Sequence, residues 1–147
     1  MSANGAWLTL VTLGVDDLAR SIRFYEALGF VRKARSGSEG IAFFAAGGIV
    51  LALYPWDRLA EDAQVPMTPR PSAFRGMTLA WNCSSPAIVD EMLEKALGAG
   101  GRPLKAAQNV FWGGYSGYFA DPDGHVWEVA HNPFFPLAGD GRLVLPD

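Results

Sequence analysis

The chain has 147 residues, half of them hydrophobic, and a formal net charge of −3. This length predicts one domain with a sizeable core, and the acidic balance without a basic run argues against a nucleic-acid partner. No apolar run reaches the length of a membrane span, and the single cysteine, Cys83, excludes an internal disulfide and a cysteine-based zinc site. We therefore expect a globular, cytoplasmic domain.

The first half of the chain predicts a strand, a helix and three strands. The opening stretch WLTLVTLGV (7–15) is typical of a strand buried on both faces. The following stretch, DDLARSIRFYEALGF, predicts a helix that Asp16 or Asp17 caps and that Gly29 ends. Further strands are predicted at 31–35, 40–45 and 49–54, with a glycine turn between the last two.

The second half predicts the same order. Residues 77–83 form a strand, and Ser84 or Ser85 then caps a helix that has Pro86 in its first turn. Three more strands are predicted, at 103–106, 115–120 and 125–131.

Two strand–helix–strand–strand–strand (βαβββ) modules in tandem place the chain in the α+β class. One module alone would leave a sheet face open, so the two modules should pair, with their curved mixed sheets around a cup-shaped cavity. The single domain, 1–147, comprises the repeats 7–54 and 76–131, with a connector or lid at 55–75 and a tail at 132–147. The apolar pair Phe134 and Phe135 in the tail should cover the domain or lie in a subunit interface.

Two motifs carry a family resemblance. GVDDLARSIRFYEALGF (14–30) and GYFADPDGHVWEVAHNP (117–133) resemble the opening and closing motifs of the vicinal oxygen chelate superfamily, which includes glyoxalase I, extradiol dioxygenases and bleomycin-binding resistance proteins. The resemblance implies the glyoxalase-like fold, in which many members are homodimers. It also implies a divalent metal in the cup, held by side chains of the first and last strand of each module.

The side chains at these positions argue against that metal. The resemblance places the four ligand positions at Leu10, Ala52, Thr78 and Glu128, and only Glu128 is a good ligand. No histidine precedes His125, which we expect at an exposed turn, and His131 falls on the opposite strand face from Glu128. We expect neither a metal nor another cofactor, although a divalent metal stays an alternative.

Glu128 is the leading candidate site residue because a charge within an apolar strand is costly unless it is paired. It is interpreted as a general acid or base, as a ligand contact, or as a structural hydrogen-bond acceptor. By alternation Trp127 should face away from it, towards a helix. The Asp121–Asp123 pair is interpreted as turn chemistry and Arg75 as a solvated surface group. The candidate ligand-binding residues are Leu10, Thr12, Ala52, Trp56, Thr78, Phe111, Trp112, Tyr115, Tyr118 and Glu128.

The sequence therefore favours a metal-independent protein that binds a small apolar or aromatic ligand in the cup. The alternative is a metal-dependent or acid–base enzyme of the lyase, isomerase or dioxygenase type that uses Glu128. A domain without a small-molecule role is the third interpretation, so whether the chain is an enzyme stays open. The expected partners are a small molecule and a second copy of the chain.

Overall fold

Each half of the chain folds into one four-stranded sheet with one long helix. The computed structural model describes residues 5–37, 39–66 and 73–147. The first module comprises β1 (Leu10–Val15), α1 (Leu18–Leu28), β2 (Val31–Lys33), β3 (Ala42–Ala46) and β4 (Ile49–Pro55), and the short helix α2 (Trp56–Asp62) follows it. The second module comprises β5 (Thr78–Asn82), α3 (Pro86–Gly98), β6 (Arg102–Asn109), β7 (Tyr115–Ala120) and β8 (Val126–His131).

The two sheets have the same topology. Their strand orders are β1-β4-β3-β2 and β5-β8-β7-β6, and the first strand of each module pairs in parallel with the last. The registers also match, because Leu10 pairs with Val50 and Thr78 pairs with Val126. Ala52 and Glu128 therefore occupy equivalent positions, and the predicted α+β fold with two βαβββ modules is confirmed.

The helix boundaries follow from local capping chemistry. The Asp17 side chain accepts a hydrogen bond from the Arg20 N–H at 3.1 Å, and Gly29 ends α1 at φ 103°. The Ser85 hydroxyl accepts from the Ile88 N–H at 3.3 Å, with Pro86 next to the cap. Each interaction satisfies a helix terminus that would otherwise lack a partner, as the sequence predicted.

One hydrophobic core joins the two modules. Phe24 and Tyr25 of α1 are buried with Phe44 of the first sheet and with Phe119 and Trp127 of the second. The Tyr25 and Trp127 ring centroids lie 5.9 Å apart, and Phe119 stacks on Trp127 at 6.1 Å. Trp127 thus packs against a helix on the face opposite Glu128, as alternation predicted.

The expected burial of one strand and the expected lengths of two others need correction. β1 is buried on both faces only in its second half: Leu13, Gly14 and Val15 are buried, whereas Leu10 and the preceding Leu8 are 38 % and 69 % exposed. The sixth strand is longer than predicted and the second is shorter. The 55–75 connector begins with α2, while its residues 67–72 lie outside the described part of the chain. No helix in the described ranges is long and apolar enough to cross a membrane.

Candidate functional site

Glu128 lies on the sheet face that points away from the helices, which we call the cup face. Glu128 is on β8, where it pairs with Ala80 of β5 on one side and with Tyr118 of β7 on the other. Glu128 and Tyr118 are half-buried, whereas Ala80 and Thr78 are exposed. The cup face of the second module is therefore open around a single carboxylate.

Tyr118 is the immediate partner of Glu128. Partial burial raises the pKa of the Tyr118 hydroxyl, and the negative charge of the nearby Glu128 raises it further. The phenol therefore stays protonated at neutral pH, beside the Glu128 carboxylate on the neighbouring strand. A tyrosine–carboxylate pair of this kind can orient a ligand or hold a proton near it.

In the first module, the two positions equivalent to Thr78 and Glu128 carry no polar side chain. Leu10 and Ala52, which are equivalent by register to Thr78 and Glu128, carry only hydrocarbon side chains. Within the described ranges, no group of three or more His, Cys, Asp or Glu side chains could hold a metal ion. A divalent cation in a protein needs several nitrogen, sulfur or carboxylate ligands, so these residues do not fit the metal that the fold implies.

Neither histidine faces the cup. His131 lies three residues from Glu128, and its Nδ1 is 3.0 Å from the Cys83 carbonyl oxygen. The expectation that His125 is exposed is wrong, since its exposed fraction is 8 %. Its Nε2 lies 2.7 Å from the Gly14 carbonyl oxygen, and its Nδ1 lies 2.9 Å from Arg75 Nη1. Because a carbonyl only accepts and a guanidinium only donates, Nε2 carries the proton and Nδ1 accepts.

Arg75 and Trp56 complete the environment of His125. The Trp56 ring stacks on His125 with centroids 6.0 Å apart, and the Arg75 guanidinium lies 4.7 Å above the Trp56 ring. Arg75 Nη2 also donates to the Asp123 carbonyl oxygen at 2.8 Å. Arg75 is therefore a structural contact rather than a solvated surface group, and Trp56 belongs to the junction of the two modules.

The Asp121–Asp123 pair does more than form a turn. Asp121 accepts from the backbone N–H groups of Asp123 and His125 at 2.9 and 2.8 Å, which is the predicted turn chemistry. It also accepts from the Tyr25 hydroxyl at 2.6 Å, and Asp123 accepts from the Asp16 N–H at 2.8 Å. The turn thus ties the second module to the first. Burial raises the pKa of the Asp121 carboxyl above its ordinary range.

Three further candidates lie at or beside the hairpin loop between β6 and β7. Phe111 is fully exposed, Trp112 is partly exposed, and the Tyr115 hydroxyl donates to Asp90 at 2.7 Å. The structure therefore distributes the ten candidates over the cup faces, the module junction and this loop. Their role in ligand binding stays a prediction.

A cleft of about 830 Å³ lies between the two modules. Of the ten candidate residues, only Thr78 lines it. Its aromatic lining comprises Trp7, Phe30, Trp81 and Trp127, with centroid distances of 5.3 Å for Phe30–Trp81 and 5.8 Å for Phe30–Trp127. Residues 140–143 of the tail form part of its wall. Sequence reasoning missed this cleft, because each of these aromatic residues is also typical of an ordinary core.

Comparisons with known proteins agree with the geometry. The family model of the Glyoxalase/Bleomycin resistance protein/Dioxygenase superfamily matches residues 7–129. A glyoxalase-related enzyme from Fulvimarina pelagi is 38 % identical with a TM-score of 0.84, covering 96 % of this chain and 99 % of that one. A lactoylglutathione lyase from Agrobacterium tumefaciens is 25 % identical with a TM-score of 0.64, covering 87 % and 95 %. The comparison with curated proteins gave no match.

Proposed function

Because the chain belongs to the Glyoxalase/Bleomycin resistance protein/Dioxygenase superfamily, we propose that it binds a small apolar or aromatic molecule without a resident metal. The supporting observation is the chemistry of the four equivalent strand positions. Leu10, Ala52 and Thr78 offer a metal at most one weak hydroxyl ligand, and the remaining position, Glu128, supplies one carboxylate beside Tyr118. The cleft between the modules adds an apolar volume of the size that small ligands occupy. Binding in the cytoplasm is the setting that the sequence predicts.

The second candidate function is a metal-dependent or acid–base enzyme of the lyase, isomerase or dioxygenase type that uses Glu128. The half-buried Tyr118–Glu128 pair favours acid–base chemistry. The carboxylate can take a proton from a substrate while the phenol donates a hydrogen bond to that carboxylate. The likeness to a lactoylglutathione lyase is compatible with such chemistry. In this case Glu128 is the catalytic residue and Tyr118 its positioning partner.

Thermal unfolding with added metal ions separates metal-independent binding from a metal-dependent enzyme. We expect Zn²⁺, Ni²⁺, Mn²⁺ and Fe²⁺ to leave the melting temperature of the untagged protein unchanged. A flat apolar compound at one hundred times its Kd should stabilise the fold by about 2.7 kcal/mol, which is a rise of about 5–10 °C at this chain length. The measurement is differential scanning fluorimetry, with bound metal read by mass spectrometry.

The Glu128→Gln variant is the control for this experiment. It keeps the side-chain size but removes the charge, so its unliganded melting temperature should stay close to that of the wild type. Stoichiometric metal in the wild-type protein that is lost in Glu128→Gln would overturn the metal-independent proposal and favour the enzyme.

We also propose that the chain forms a homodimer. Phe111 and Phe134 are both largely exposed, and the Phe134 ring lies next to Gly113 in the same loop as Phe111. An exposed aromatic patch of this kind is typical of a subunit interface. We expect sedimentation velocity to give a dimer at micromolar concentration and the Phe111→Ser/Phe134→Ser variant to give a monomer. A monomeric wild-type protein would contradict the proposal.

A further inference from the structure

Glu128 is surrounded by uncharged side chains on the cup face of the second module. In a sheet, the nearest neighbours of a residue on the same face are its cross-strand pairs, the residues two positions away on its own strand, and the diagonal positions. For Glu128 they are Ala80, Tyr118, Val126, Ala130, Thr78, Asn82, Ala120 and Ser116. We call Glu128 and these neighbours the Glu128 patch. The carboxylate is the only group among these described positions that carries a charge at neutral pH.

Glu128 takes part in no ion pair within the described part of the chain. The basic residue on the strand beyond Tyr118 is Lys105, which pairs with Tyr118 in the sheet and is exposed to solvent. A ligand that covers a half-buried carboxylate removes its remaining water, and this costs free energy unless the ligand supplies a matching charge. The charge of the patch therefore favours a cationic ligand over a neutral or anionic one.

The oxygen atoms of the Glu128 patch match the donors of an ammonium group. A protonated amine carries three N–H donors and needs one counter-ion. Glu128 supplies the charge, and the hydroxyl of Tyr118 on the neighbouring strand can accept a second hydrogen bond. Thr78, Asn82 and Ser116 add neutral oxygen atoms at the diagonal positions. A divalent metal needs several charged or nitrogen ligands, so this patch suits an organic cation better.

Small side chains leave room for an apolar group beside the carboxylate. Ala80, the cross-strand neighbour of Glu128 on the edge strand β5, is exposed and carries only a methyl group. Ala130 is next on the same face of β8 and is 4 % exposed, so it projects little above the sheet. A flat ring can lie over these methyl groups with its edge against the Tyr118 ring. The surface next to Glu128 thus fits an aromatic group.

We propose that the Glu128 patch binds an aromatic molecule that carries a protonated amine, so that an organic cation is bound in place of a metal ion. The ammonium group pairs with Glu128 and donates a second hydrogen bond to the Tyr118 oxygen. The ring lies over Ala80 and Ala130. This inference rests on the proposed binding function and specifies the ligand class and its contacts.

Three naphthalene probes of similar shape and different charge test the ligand class. They are 1-naphthylmethylamine, which is protonated at neutral pH, neutral 1-naphthylmethanol and anionic 1-naphthoate. We expect the amine to bind about tenfold or more tightly than the alcohol, the usual gain from one hydrogen bond to a charged group. The naphthoate should bind least. NMR titration of isotope-labelled protein measures the three affinities, and the amide signals of β5, β7 and β8 should move most.

Glu128→Gln and Asp90→Asn are a matched pair of variants for the site. Each removes one negative charge beside a tyrosine of β7, because the Tyr115 hydroxyl donates to Asp90 at 2.7 Å on the other face of that strand. Glu128→Gln should weaken amine binding about tenfold or more and leave alcohol binding within about twofold. Asp90→Asn should change amine binding by less than about twofold. Equal losses in the two variants would show a long-range charge effect and overturn the site assignment.

Ala80→Leu tests the contacts of the ring and replaces Glu128→Gln if that variant does not fold. Ala80 is exposed, so a larger side chain there does not disturb the core, but it covers the surface beside the carboxylate. We expect Ala80→Leu to weaken amine binding about tenfold or more. Amine binding as tight as in the wild type would overturn the proposed contacts. Circular dichroism checks that each variant folds.

The outcomes distinguish this inference from the proposed function. If the wild-type protein binds none of the three probes, the proposed binding function fails together with this inference. If it binds the alcohol as tightly as the amine, or binds the naphthoate best, the binding function stands and the cation assignment falls. If the amine binds best but moves only signals outside β5, β7 and β8, the assignment to the Glu128 patch falls.

Discussion

Replacing Asp121 with alanine is expected to lower the free energy of unfolding by about 3 kcal/mol. The carboxylate is 3 % exposed and accepts hydrogen bonds from the Tyr25 hydroxyl and from the N–H groups of Asp123 and His125. Each buried donor that loses its acceptor costs about 1–3 kcal/mol. The total stays below the sum of the three, because burying the carboxylate is itself unfavourable. Urea denaturation measures the difference.

Asp140→Ala is the matched control for this prediction. Asp140 also accepts from a backbone N–H two residues ahead, that of Arg142 at 3.0 Å, but its side chain is 53 % exposed. Water can replace its hydrogen bonds, so we expect a loss below about 0.5 kcal/mol. Equal losses in the two variants would show that Asp121 forms only a local turn and does not hold the modules together.

The pH dependence of stability gives an independent readout of the same carboxyl. Burial is the main cause that raises the pKa of Asp121, so the folded chain binds this proton more tightly than the unfolded chain does. Its contribution to stability is therefore present at low pH and is lost as pH rises from about 4 through the raised pKa. Asp121→Asn does not titrate, so the stability of the wild type relative to this variant should fall over that window and stay constant above it. A difference that rises with pH there would contradict the direction of the shift.

Local sequence patterns were sufficient to predict the elements of this fold. Asp17 and Ser85 cap their helices through bonds that span three residues, and Gly29 ends α1 with its own backbone conformation. Such interactions depend only on neighbouring residues, so they can be recognised before any packing is known. The repeat itself follows from finding the same order of elements in both halves.

Contacts between the modules could not be predicted in this way. The Tyr25–Asp121 hydrogen bond joins residues 96 positions apart, and the position of His125 depends on Gly14 in the other module. In the sequence, Asp121 and His125 have the composition of an exposed turn. Their burial arises because α1 packs across the second sheet, and that arrangement leaves no periodic signal in either segment.

The candidate site also contains residues that the sequence could identify and residues that it could not. Glu128 was identifiable because a charged residue interrupts an apolar strand, and the register of the two sheets supports its alignment with Ala52. Phe30 and Trp81 were not identifiable as cleft residues, since each has the character of a core side chain. They line a cleft because the edge strand β5 stands apart from the first module.

The glycine at position 117 is expected to be nearly as sensitive as Asp121, with Gly117→Ala lowering the free energy of unfolding by about 3 kcal/mol. An added Cβ would lie 2.9 Å from both the Ala107 nitrogen and the Lys105 oxygen, and 2.7 Å from Leu93 Cδ1. Two of these atoms belong to the backbone of β6, which pairs irregularly with β7 between Lys105 and Gln108. A backbone cannot rotate away as a side chain can, so the strand pair or α3 must shift, and overpacking of this kind costs about 1–3 kcal/mol.

Two other glycines show whether this close approach is the cause. At Gly139 nothing lies within 4 Å of an added Cβ, so Gly139→Ala should change stability by less than about 0.5 kcal/mol. At Gly114 an added Cβ would overlap the Trp112 ring, but that side chain is partly exposed and can move aside, so the loss should stay near 1 kcal/mol. Urea denaturation of all three variants measures this order. A Gly117→Ala loss no larger than that of Gly139→Ala would mean that β6 yields freely, and the glycine would then serve only to loosen the hairpin.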